Sequence, residues 1–186
     1  MLVYNKSMVQ VVDPRIRRTR KLLQEALDKL LEKKDFNDLS IQDIADEATV
    51  NRATFYDHYP DKFALLACMV GCRFQELLAE RKIQFEGSCS AELKAIVQAV
   101  ADYLTRTRRL EPHMEAAIIG AVREILLAGL KQHVPDIPIA PEIVAATASW
   151  AIFGAVKEWV QTPGRCSPEE LADTVTKLVS PILRIP

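Results

Sequence analysis

Apolar positions along this 186-residue chain recur at spacings of three, four and seven, with no run of alternating β-branched residues. Ile16, Leu23, Leu27, Leu30 and Leu31 form one stripe, which predicts a long amphipathic helix over 14–34. Asp13 caps it: an aspartate accepts an orphan amide hydrogen, and Pro14 in the first helical position has none to lose. After a turn at 35–39, Ser40 followed three places later by Asp43 starts a short helix over Ile41, Ile44, Ala45 and Ala48. Thr49 and Val50 break it. Asn51 caps a third, also short, helix through Tyr59, with Phe55 and Tyr59 on its apolar side.

The remaining segments read as helices at 61–84, 91–107, from Pro112 towards Pro135, 141–161, and from the capping box SPEE at 167–170 to about Leu183. IPIAP at 137–141 is a proline-studded connector. The expected fold is therefore all-α with about nine helices. Its domains are an N-terminal arm at 1–12, a helix-turn-helix domain at 13–75 with the motif itself at 40–59, and a helical domain at 76–186.

Composition changes this picture little. With 49% apolar residues the chain can fill one good core or two unequal ones. Lys and Arg total 24 against 25 Asp and Glu, so a polyanionic partner must be met by a local patch and not by overall charge. Residues 13–62 hold ten Lys or Arg and eleven Asp or Glu, but the charge is segregated. Arg15, Arg17, Arg18, Arg20 and Lys21 line the first helix, while Asp35, Asp38, Asp43, Asp46 and Glu47 surround the second. The four cysteines, Cys68, Cys72, Cys89 and Cys166, lack disulfide-framework spacing. No apolar run reaches the roughly 18 residues that span a bilayer, and MLVYNKSMVQVV lacks the run of a signal peptide. The cytoplasm is the expected compartment, with no membrane partner.

The second helix of such a pair fits the DNA major groove with its N-terminal residues towards base edges. Here those residues are Arg52, Ala53 and Thr54: a guanidinium for guanine, a methyl and a hydroxyl. Tyr56, His58 and Lys62 are donors for flanking phosphates, with Arg17 and Arg18 on a second cationic edge; phosphate contacts set register without reading sequence. No GxSxG, P-loop or GxGxxG pattern is present, so no catalytic residue is assigned. The histidines have no zinc spacing, and neither metal nor cofactor is expected.

The string IQDIADEATVNRATFYDHYPDKFALL resembles the helix-turn-helix of the TetR family of bacterial transcriptional regulators. The likeness runs over about residues 15–75. It implies base contacts from Gln42, Arg52, Ala53 and Thr54, and phosphate contacts from Ser40, Tyr56, His58 and Lys62. Thr49 stands where the family commonly has glycine, so a left-handed turn is not argued from this residue. Asp57, a carboxylate on the recognition helix, also departs from expectation.

The resemblance further implies that the later helices sense a ligand and dimerise. The helix at 141–161 is apolar on nearly every face, which suits either a central core helix or a subunit interface. Its small residues Ala148, Ala151, Gly154 and Ala155 are the interface candidates, within a homodimeric four-helix arrangement. Phe74, Tyr103, His113, Met114, Ile118, Trp150 and Phe153 mix apolar walls with polar handles and are the candidate ligand pocket, although each also suits an ordinary core. Cys68 and Cys72, one turn apart, carry a weaker case for thiol sensing. The expected function is a homodimeric repressor released from double-stranded operator DNA by a small apolar or amphipathic effector. The alternative is a protein of the same fold that has lost DNA binding and acts as a protein-binding coregulator.

Overall fold

The computed structural model describes residues 13–81, 83, 90–107, 110–132 and 139–183. The N-terminal arm, Cys89, His133 and the connector residues Ile137 and Pro138 lie outside the described residues. Among those described there are eight α-helices and no strand: α1 (Pro14–Leu31), α2 (Ile41–Glu47), α3 (Arg52–His58), α4 (Lys62–Glu80), α5 (Ser90–Arg106), α6 (Pro112–Gln132), α7 (Pro141–Gln161) and α8 (Pro168–Leu183). A 3-10 turn at Phe36–Asp38 lies between α1 and α2. The chain forms two compact units, one ending at Leu66 and the other beginning at Ala67, so the division falls inside α4.

In the first unit α1 packs on α2 and α3. Asp13 accepts from the Arg15 amide at 2.9 Å, which fixes the start of α1. Leu23, Ala26, Leu27 and Leu30 are then buried, as are Phe36, Ile44, Ala45, Phe55, Tyr59 and Leu65 of the same unit. Complete burial of a Leu or Phe side chain contributes about 1.5–3 kcal/mol, so a handful of such residues supports three helices of which two are only seven residues long. Ile16, at the exposed first turn of α1, does not join this core.

In the second unit α6 packs on α7, α5 on α8, and α7 on both α5 and α8. Ser167 and Glu170 close the expected capping box of α8: the Ser167 amide donates to Glu170 Oε2 at 2.9 Å, and the Glu170 amide to Ser167 Oγ at 3.2 Å. Val144, Ala145, Ala148, Ile152, Phe153, Val156 and Trp159 turn inward from α7. Trp159 Nε1 donates to the Cys166 carbonyl at 2.9 Å, and the Arg165 guanidinium covers its ring at 4.3 Å. By length and composition α7 is long and apolar enough to cross a membrane, with 44% of that window buried inside the structure. This is a test of mean hydropathy over a window and not the continuous apolar run that the sequence was searched for. The run is interrupted by Thr147, Ser149 and Trp150, but its average hydropathy still passes.

Candidate nucleic-acid interface

The link between α2 and α3 is fixed by hydrogen bonds local to the chain. At the start of α2, Ser40 Oγ accepts from the Asp43 amide at 3.0 Å, while Asp43 Oδ2 accepts from the Ser40 amide at 2.8 Å and from its hydroxyl at 2.6 Å. The Ser40 hydrogen bonds, foremost the side-chain one, hold the Asp43 carboxyl down at a pKa of about 2, with Lys34 at 3.4 Å helping. At the end of α2 the Thr49 amide donates to the Asp46 carbonyl at 3.0 Å and the Val50 amide to the Ala45 carbonyl at 2.9 Å. That pair of bonds is the Schellman closure, which places the intervening residue in the left-handed region. Thr49 accordingly has φ of +55°. The left-handed turn withheld from the sequence reading is thus present, held by the two bonds although a β-branched residue occupies it.

Asn51 Oδ1 accepts from the Ala53 amide at 2.9 Å and starts α3. Phe55 and Tyr59 are buried, and the Tyr59 hydroxyl accepts from Gln24 Nε2 at 3.3 Å while the Arg20 guanidinium stands 5.9 Å from its ring. This pins α3 to α1. Arg52, Ala53, Tyr56 and Asp57 are exposed, and Thr54 and His58 are half-buried at its margins. Arg52 Nη2 donates to Tyr56 Oη at 3.2 Å. On α2, exposed Gln42 donates to Asp46 at 2.7 Å. Arg17 and Arg18 are exposed on α1. A short helix therefore presents a cation, a methyl and a phenol to solvent, with further cations on α1, which is the donor set that phosphates and guanine edges accept from.

Two of the expected phosphate contacts have other work. Lys62 Nζ donates to the carbonyls of Phe36, Asn37 and Leu39 at 2.9, 3.1 and 2.7 Å and lies 4.8 Å from the Phe36 ring. An ammonium has three donors, so this one is fully engaged in closing the turn before α2, which favours a structural role over the phosphate contact expected of Lys62. The Ser40 hydroxyl likewise serves the capping box.

The sites expected in the second unit separate. Phe74 stacks on Tyr103 with centroids 5.1 Å apart, and Tyr103 Oη lies 3.6 Å from Met114 Sδ. Ile118 and Phe153 are buried and His113 is half-buried. Trp150, however, is 63% exposed, which removes it from any internal pocket. Ala148 is fully buried, so it belongs to the core of one chain and not to the interface expected of it; Ala151 and Gly154 are exposed and Ala155 half-buried. Two cavities, of about 290 Å³ beside Asp102, Arg106 and Trp159 and about 560 Å³ beside Lys94, Asp173 and Lys177, include none of the seven candidate pocket residues. The sequence reading missed Ile143, Leu178 and Ile182, which are exposed like Trp150. Their signal was spacing: Ile143, Thr147, Trp150, Gly154 and Glu158 recur every three or four residues on α7, as Leu178 and Ile182 do on α8.

This geometry is that of a helix-turn-helix: α2 and α3, joined by a tight turn and backed by α1. Residues 23–69 match the family of bacterial regulatory proteins, tetR family; the match covers the helix-turn-helix and the start of α4 and no more of the chain. Sixty residues are 48% identical to an uncharacterized HTH-type transcriptional regulator, YxbF, of Bacillus subtilis (strain 168); they make up 32% of this chain and only 16% of that relative's length. A TetR transcriptional regulator from Rhodococcus sp. RHA1 shares the fold with a TM-score of 0.61 at 16% identity, covering 91% of this chain and 97% of that one. Thermus thermophilus FadR, a TetR family transcriptional repressor solved in complex with lauroyl-CoA, shares it with a TM-score of 0.54 at 23% identity, covering 86% and 92%.

Proposed function

We propose that this protein is a homodimeric transcriptional repressor that binds double-stranded operator DNA and is released by a small apolar or amphipathic effector. The observation that carries the reading is the solvent face of α3, where Arg52, Ala53 and Tyr56 stand exposed on a helix pinned from behind by Phe55 and Tyr59. Arg52, Ala53, Thr54 and Gln42 meet base edges, and Tyr56, His58, Arg17 and Arg18 meet phosphates. Retention of these groups favours DNA binding over a purely protein-binding coregulator.

The exposed stripe of Ile143, Trp150, Ala151 and Gly154 on α7, with Leu178 and Ile182 on α8, supports the dimer. Apolar side chains this exposed and this regularly spaced are what a second copy covers in an isologous interface. The effector is proposed to sit near Phe74, Tyr103 and Met114, and the acyl-CoA held by FadR supports an amphipathic chemistry. α4 runs through the division between the units and is the proposed lever. An effector that prefers one of two spacings of the recognition helices shifts the population away from DNA. In the cytoplasm such a protein meets both partners.

A mobility-shift assay with the DNA flanking its own gene, repeated across salt concentrations, tests the reading. Salt-sensitive binding that discriminates against unrelated duplexes is expected; equal binding to all duplexes, or none, refutes it.

A further inference from the structure

Arg52 opens α3 as an exposed, flexible side chain, yet its guanidinium has a defined seat. Nη2 donates to Tyr56 Oη at 3.2 Å, and the guanidinium carbon stands 5.7 Å from the centre of the Tyr56 ring. Four residues separate the two, one helical turn, so they share a face. Tyr56 is 47% exposed, but its ring meets Phe55 edge-on, with centroids 5.7 Å apart and planes at 83°, and Phe55 is completely buried. Contact therefore runs from a fixed core ring, through a half-exposed phenol, to the cation at the head of the helix.

We propose that Tyr56 is a positioning residue for base reading: it holds Arg52 in its guanine-reading geometry and, through the same hydroxyl, couples that reading to the phosphate register. This rests on the DNA-binding reading above. A guanidinium carries five N–H donors; one goes to Tyr56, and four remain for a two-pronged contact with guanine O6 and N7. The Tyr56 oxygen accepts from Arg52 and keeps its own hydrogen, which is directed by that acceptance towards another acceptor such as a phosphate oxygen. Ordering a long side chain on binding costs rotamer entropy, and a side chain already seated loses less. A tyrosine that met phosphate alone would strengthen binding to every sequence equally. One that seats Arg52 strengthens binding mainly where guanine stands opposite.

The full-length protein is first used to select duplexes from a random library. Fluorescence anisotropy then compares wild type, Arg52→Ala, Tyr56→Phe and the double variant on the selected duplex, on versions with each G·C pair replaced in turn, and on a scrambled duplex. Phenylalanine keeps the ring against Phe55, and a thermal melt verifies folding. Tyr56→Phe is expected to weaken binding to all duplexes modestly, through the lost phosphate contact, and in addition to lower discrimination at the Arg52-dependent G·C pair by about tenfold. In the double variant discrimination should be no lower than in Arg52→Ala. Equal weakening on selected and scrambled duplexes would make Tyr56 a phosphate contact only and overturn the inference. So would unchanged discrimination in Tyr56→Phe when Arg52→Ala abolishes it. If wild type enriches no sequence, the DNA-binding reading itself falls, and the inference with it.

Discussion

Tyr56 and Trp150 are both exposed aromatics, but they stand in opposite company. Around Tyr56 on α3 are Arg52 and Asp57; around Trp150 on α7 are Ile143, Thr147, Ala151 and Gly154. The first face remains solvated until something anionic replaces the water, because its groups are donors and charges. The second gains by losing water altogether, since its groups are methyls and an indole. An aromatic ring therefore does not identify a surface; its neighbours one helical turn away do. The first unit presents a solvated face that carries cations, and the second an exposed apolar one.

The comparison is broken most forcefully at Trp150. Trp150→Glu places a charge at the centre of the apolar stripe and is expected to weaken dimerisation by about 2–4 kcal/mol, the range of a central aromatic anchor. Sedimentation equilibrium should report monomer with an unchanged far-UV spectrum. Ala148→Glu, two residues earlier and so on the opposite, fully buried side of the same helix, should instead lose the folded second unit. A Trp150→Glu protein that stays dimeric would put the two faces on an equal footing.

Lys62 sharpens the comparison within the first unit. Lys62→Met removes the ammonium that satisfies three carbonyls and should lower stability by about 2 kcal/mol, seen as a lower melting temperature. Arg17→Ala or Arg18→Ala should leave the melt unchanged and reduce the salt dependence of DNA binding by about one counterion each. If Lys62→Met behaves like the arginine variants, the ammonium is a phosphate contact after all.

Smaller effects come from the helix-turn-helix frame. Thr49→Gly relieves a β-branched residue at φ of +55° and should stabilise the fold by about 1 kcal/mol or less, because the added chain entropy of glycine offsets part of the gain. A calorimetric melt reads it. Asp43, lowered from 3.8 to about 2, has its depressed pKa in the folded state. Its contribution is present above pH 4 and disappears as pH falls through about 2. Carboxyl NMR titration should find it there in the wild type, and Ser40→Ala should move it back towards the ordinary aspartate range.

Much of the first unit was legible because its instructions are local. Asp13, Ser40 with Asp43, and Asn51 each bond to an amide two or three residues away, and the spacing of Phe55 and Tyr59 fixes which side of α3 is buried. Lys62 was not legible in this way: its acceptors lie 23 to 26 residues back along the chain, and nothing in its immediate sequence announces them. The left-handed turn at Thr49 was not legible because residue preference is weaker than two hydrogen bonds that demand one backbone conformation. On α7 an apolar residue at almost every position leaves inner and outer faces alike in hydropathy, so Ala148 and Ala151 exchange readily on paper although one is buried and one exposed. On α8 the contrast was clearer, since Leu171, Val175, Val179 and Leu183 mark the inner row and Leu178 and Ile182 the outer.

The central claim is that the exposed face of α3 reads DNA sequence from a two-fold symmetric protein. Selection of duplexes by the wild-type protein and by Arg52→Ala, sequenced side by side, tests it most directly. The expected result is a palindromic site with half-site centres about one helical turn apart, containing a G·C pair in each half that is enriched by the wild type and lost with Arg52→Ala. No enriched sequence, an asymmetric site, or the same site from both proteins would contradict it.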